Sequence, residues 1–163
     1  MAIYSLAQRT TVTTIAAASH AFLSPATNEA ALMEWGYFNG AATACVVGLG
    51  RTANTPTLTG GVAFLAEDEG RPTGLTQGAV AFGTAPTVPT QFFRRFSMAA
   101  LVGAAVVYTF PRGIVLPAGG QAICAWNITA NSAVVDIHAV VDERPSVTTW
   151  MTSTAIPPWR PSR

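Results

Sequence analysis

The chain has 163 residues and a mass of 17.0 kDa, room for one domain with a terminal extension and not for two independent cores. Half of the residues are apolar, alanine alone accounts for 29, and only 10% are charged where an ordinary domain carries roughly 25%. With a formal net charge of +1, that composition excludes a disordered chain and a strongly electrostatic nucleic-acid binder. All nine basic residues are arginine, which removes Schiff-base catalysis and a phosphate-loop lysine.

The longest apolar run, Met98 to Tyr108, has 11 residues, about half of what a bilayer-spanning helix needs. The amino end has no basic residue before Arg9 and spaces its apolar residues with threonine, so it does not read as a signal peptide despite the small residues from Ala16 to Ala21. Cys45 and Cys124 lack the close spacing of a zinc or redox pair and read as buried free thiols in a reducing compartment.

Threonine (21 residues), valine, glycine and proline dominate beside alanine, and prolines and glycines interrupt the chain often enough to favour short strands over helices. The strands predicted in chain order are Thr10 to Ala18, Ala31 to Phe38, Thr43 to Leu49, Gly61 to Ala66, Ala79 to Phe82, Gln91 to Met98, Ala104 to Phe110, Ile114 to Leu116, Gln121 to Ile128 and Ser132 to Asp142. The segment Asn28 to Trp35 holds good helix formers, but the alternation of Ala31, Met33, Trp35 and Tyr37 favours a strand. Two turn signals, Pro111-Arg112-Gly113 and Pro117-Ala118-Gly119-Gly120, isolate Ile114 to Leu116 as a separate short strand. Gln121 to Ile128 places Ala122, Cys124, Trp126 and Ile128 on one face, and Thr129-Ala130-Asn131 is expected to fold it back as a hairpin onto Ser132 to Asp142. In that last strand Ala133, Val135, Ile137, Ala139 and Val141 form the core face, and Ser132, Asp136, His138 and Asp142 mark the other. The sum is an all-β chain, an antiparallel β-sandwich of about 8–10 short strands over residues 1–143.

From Glu143 the texture changes: four prolines, three arginines and two tryptophans fall within 21 residues. Residues 144–163 are expected to form an extended Pro/Trp/Arg-rich C-terminal arm, because proline holds the backbone extended and exposed tryptophan is costly. Arg144, Trp150, Trp159 and Arg160 of this arm are expected at an interface with a neighbouring subunit. So are Arg94 and Arg95, which stand among Phe92, Phe93 and Phe96 and suit an interfacial salt bridge or cation–π contact better than a single-stranded nucleic-acid site.

Motifs for chemistry fail on mechanics. Gly48, Gly50 and Ala53 fit a GxGxxA dinucleotide pattern, yet Thr55 to Gly61 cannot supply the helix that pattern requires, and a strand ending in a glycine-rich turn is expected instead. Asp136 and His138, with distant His20, do not amount to a metal or acid–base site, and Glu67, Asp68 and Glu69 with Arg71 read as a solvated loop. No catalytic residue, metal ligand or cofactor is assigned, and no enzyme activity is expected.

The run FFRRFSMAALVGAAVVYTFPRGIVLPAGGQAICAWNITANSAVVDIHAVVDE, with the opening SLAQRTTVTT, resembles small virion proteins of tailed bacteriophages, of the capsid decoration or cement type. The resemblance is carried by the arginine–aromatic strand, the FPRGIVLPAGG corner and a tryptophan-bearing strand running into a final strand that ends VVDE. It implies a jelly-roll-like sandwich, a homo-oligomer, often a trimer, and a place on the virion capsid surface, reached by assembly in the host cytoplasm. The major capsid protein and further copies of the chain are the implied partners, with no membrane and no direct nucleic-acid contact. A tail, neck or fibre-base component is the alternative within that class, and a carbohydrate-binding module is the alternative outside it.

Overall fold

The computed structural model describes residues 2–12, 17–129 and 133–145. Its strands are β1 (Ala2–Val12), β2 (Ala17–Leu23), β3 (Asn28–Asn39), β4 (Cys45–Arg51), β5 (Thr57–Thr59), β6 (Val62–Ala63), β7 (Leu65–Ala66), β8 (Gln77–Ala79), β9 (Ala81–Thr84), β10 (Arg94–Met98), β11 (Ala105–Leu116), β12 (Ala122–Asn127) and β13 (Ala133–Pro145). They form an antiparallel five-stranded sheet ordered β11-β3-β13-β1-β7, a six-stranded sheet ordered β10-β4-β12-β2-β8-β6, and the small pair β5-β9. The all-β antiparallel sandwich expected from composition is present, and no described helix is long and apolar enough to cross a membrane.

Eight strands have five residues or more, and their pairing is nested. The chain folds back near its middle, so that β4 pairs with β10, β3 with β11, β2 with β12 and β1 with β13. Further ladders, β12 with β4 and β13 with β3, join these pairs into two sheets. The five strands from β5 to β9 belong to the segment at the fold-back and have two to four residues each.

The main core fills the space between the sheets. Tyr4, Leu6, Leu32, Trp35, Tyr37, Ile137 and Val141 of the five-stranded sheet meet Phe22, Val47, Leu49, Met98 and Ile123 of the other. Trp35 lies nearly parallel to Tyr108 at 6.3 Å and is met at an angle by Phe96 at 5.9 Å. A second apolar layer sits outside the six-stranded sheet, where Ala21, Ala122, Cys124 and Trp126 are covered by Leu58, Phe82 and Phe92. Strand β12 is therefore buried on both faces, with Ile123 and Ala125 toward one layer and Ala122, Cys124 and Trp126 toward the other. A single apolar face was expected for this strand; its near-continuous apolar run is the pattern of a doubly covered one.

Several local expectations change for physical reasons. The hairpin between β12 and β13 does not form, because both lateral partners of β12 are taken by β2 and β4, and the connection crosses to the other sheet. Alternation reports which face is buried and is silent on which strand lies alongside. The expected strand Thr10 to Ala18 is the end of one long strand and the start of another, β1 and β2. Pro111-Arg112-Gly113 does not separate two strands: it is a bulge within β11, where the register slips between Thr109 and Ile114 and Gly113 takes φ +67°. Gly48 and Gly50 lie inside β4 and not in a turn, and what they provide is close approach: a β-carbon at Gly48 would come within 2.6 Å of Phe92, and one at Gly50 within 3.1 Å of Pro89. Strand β13 runs to Pro145, so Arg144 and Pro145 still pair with Glu29 and Asn28.

Glu143, expected at the edge of the domain, is buried instead and accepts hydrogen bonds from the backbone N–H groups of Leu75 and Thr76. Cys45 and Cys124 are the buried free thiols expected, each held protonated by burial.

His20 is buried on β2 with its ring 4.4 Å from that of Phe22, and neither ring nitrogen has a hydrogen-bond partner. Burial pushes its pKa down to about 3, so the folded chain keeps the ring neutral while the unfolded chain takes up a proton below about 6.5. Stability is therefore fully present above the unfolded value and drains as pH falls toward about 3, by up to ~1.4 kcal/mol per pH unit. Urea unfolding at about pH 6 and about pH 4 is expected to show a smaller loss for His20→Leu than for the unaltered protein; equal losses would place His20 outside the acid response.

Candidate interaction surface

The sandwich is open along one side, where the outermost strands of the two sheets, β10 and β11, run beside each other without a further neighbour in either ladder. Alternation along β10 turns Phe96 and Met98 toward the core, and puts Arg94 on that same side and Arg95 on the opposite one. Arg94 lies across the opening. Its guanidinium stands 5.5 Å from the ring centre of Tyr108 and 5.4 Å from that of Phe110, both on β11, while Nη1 donates to the Phe93 carbonyl at 2.7 Å. Arg51, at the end of β4, makes a second bridge: Nη2 donates to the Val115 carbonyl at 2.6 Å, and the group lies 5.7 Å from the Phe93 ring.

The bulge in β11 adds Arg112 to the same side. With Arg94, Thr109, Phe110 and Ile114 it lines an open depression of about 390 Å³. Among the described residues, none of Arg51, Arg94, Arg95 and Arg112 forms an ion pair with a carboxylate. The long apolar run of the sequence also surfaces here, as Leu101 and Val102 at the tip of the β10–β11 connection, each 63% exposed, and Val107 on β11.

The opposite side of the molecule is built differently. There β7 and β6 end the two sheets, Leu65 and Val62 are exposed, and the Glu67-Asp68-Glu69 loop follows. Among the described residues, only Asp68 of the three is paired, with Arg71 at 3.0 Å. The solvated acidic loop expected from sequence is present.

The outer face of the five-stranded sheet holds the two remaining polar candidates, which turn to separate partners. Asp136 accepts two 2.7 Å hydrogen bonds from Arg9, and these hold its carboxyl below its ordinary pKa and the guanidinium above its own. His138 meets Glu34 at 2.7 Å through Nε2, its ring lying over Gly36, where a β-carbon would collide with it at 2.2 Å. His20 is in the core, so the three never converge. Among the described residues, no group of three His, Cys, Asp or Glu side chains is placed to hold a metal ion.

Of the interface residues expected from sequence, Arg94 and Arg95 fall on the open side, where the rings that Arg94 meets, Tyr108 and Phe110, belong to its own chain. Arg144 is elsewhere, at the end of β13, where Nε donates at 2.6 Å to the fully buried Asp142. Trp150, Trp159 and Arg160 lie outside the described residues. Sequence reasoning missed Arg51 and Arg112. Arg112 stood within a turn signal, and no local pattern ties Arg51 to a strand 64 residues away.

Comparison with family models, with curated proteins and with solved structures gave no match in any of the three.

Arg94→Ala removes a cation that bridges the two sheets over two rings and is expected to lower unfolding free energy by ~0.5–2 kcal/mol, measured by urea denaturation. Arg94→Leu, which keeps much of the packing without the charge, should recover less than half of that loss; full recovery would show that packing and not the cation–π contact matters.

Proposed function

We propose that the protein is a structural subunit of a bacteriophage virion, a decoration or cement protein that binds the capsid shell through non-covalent contacts. The observation that carries this reading is the strand order. Eight strands nested as four antiparallel pairs, β1–β13, β2–β12, β3–β11 and β4–β10, within two facing sheets support a jelly-roll reading of the sandwich, an architecture used by viral capsid proteins and by lectins. The resemblance of residues 1–143 to phage decoration proteins favours the first of these uses. Exposed Leu101, Val102 and Val107 beside unpaired arginines provide the apolar centre and polar rim by which such a subunit would engage neighbours.

A carbohydrate-binding module would use exposed aromatic rings to stack sugars. Trp35 and Trp126, the two described tryptophans, are both fully buried, which weighs against that reading.

The test is co-sedimentation of the purified full-length protein with empty heads of the virus that encodes it, beside purified tails and a panel of immobilised glycans. Saturable binding to heads, accompanied by a rise in their melting temperature, is the expected result. Binding to tails alone would move the protein to the tail or neck, and binding to glycans alone would make it a sugar-binding module; either outcome overturns the decoration role.

A further inference from the structure

The two open sides of the sandwich complement each other in three respects. First, both end in strands that no further described strand pairs with, β10 and β11 on one side and β6 and β7 on the other, a state that natural sheets seldom leave uncovered. Second, both carry exposed aliphatic side chains: Leu101, Val102 and Val107 on one, Val62 and Leu65 on the other. Third, their charges are opposite. Arg95 and Arg112 are exposed on the β10–β11 side without a carboxylate partner, while Glu67 and Glu69 are exposed beside β7 without a cation, among the described residues.

We propose that copies of this chain associate head to tail, the β10–β11 side of each packing against the β6–β7 side and the Glu67–Glu69 loop of its neighbour. This rests on the self-association contained in the reading above and on nothing else in it; whether a capsid binds the assembly is a separate question with its own assay. A two-fold contact of the β10–β11 side with itself would set arginine against arginine with no carboxylate on β10 or β11 to relieve it, whereas the head-to-tail contact sets arginines against carboxylates. A heterologous contact of this kind closes into a ring when the rotation divides a full turn.

The experiment is charge exchange in the full-length protein, read by sedimentation velocity across a concentration series. Arg95→Glu with Arg112→Glu is expected to raise the dissociation constant at least about tenfold, and Glu67→Arg with Glu69→Arg to do the same. All four changes in one chain restore opposite charges across the contact, and should bring the constant back to within about threefold of the unaltered protein. Circular dichroism and thermal unfolding of each variant are expected to match the unaltered protein, since all four side chains are exposed. Three results would each overturn the proposal: a full-length monomer up to about 100 μM, an oligomer weakened by the arginine changes and indifferent to the acidic ones, or a fourfold variant no better than either pair. The second would assign the arginine side to a self-contact or to a different acidic protein.

Discussion

Strand β12 has no face that meets water, and much of the molecule is arranged to make that possible. Ile123 and Ala125 enter the core between the sheets, so Ala122, Cys124 and Trp126 project from the far side of the six-stranded sheet and require a cover of their own. The segment between β4 and β10 supplies it with Leu58, Phe82 and Phe92, turning a two-layer sandwich into one with a third, partial layer. The cover must lie close. Gly48 and Gly50 of the neighbouring strand leave the space that Phe92 and Pro89 occupy, so glycines that look like a nucleotide-binding signature serve as a bed for an aromatic ring.

The same constraint accounts for the composition. A sheet covered on both sides offers few positions where a charge could be solvated, and small side chains let its layers approach: Ala21, Ala79, Ala122 and Ala125 are all buried in or beside it. Charge is consequently displaced to the margins. Arginines gather where β10 and β11 run side by side, carboxylates gather beside β7, and on the outer face of the five-stranded sheet Arg9 is held by Asp136 and Glu34 by His138. The near-zero net charge of the chain thus conceals a molecule with one basic and one acidic flank.

What could be read from sequence follows from what each signal measures. Among the described residues, alternation identified the last strand and its core face correctly from Val135 to Val141, because a period of two is a local property of the backbone. Asp142, on the face expected to be polar, and Glu143 are both buried as well, and no pattern in the sequence marks that. The β12–β13 hairpin failed for a related reason: a short polar connection is as compatible with a crossing between sheets as with a tight turn. The Pro111-Arg112-Gly113 signal was read as a chain reversal and is a bulge, which asks the same left-handed glycine of the backbone. At the open side, the arginine–aromatic cluster was visible because its residues are consecutive. The approach of Arg51 and Arg112 to it is a product of tertiary pairing and left no local trace.

The nested pairing also dictates an order of events. The longest ladder aligned without a slip joins β1 to β13 from Ala2 with Glu143 to Val12 with Ala133, so residues far apart in the chain are among the most intimately paired. Neither sheet is complete until its late strands arrive, because β13 separates β1 from β3 and β12 separates β2 from β4. During synthesis the first half of the chain therefore emerges with its apolar faces unmatched and its strand edges open, and closure waits for residues near 145. Such distant pairing makes for slow folding and a prolonged exposure of sticky edges. A chain made this way gains from a cell's chaperones at birth, and is correspondingly hard to unravel from either end once zipped.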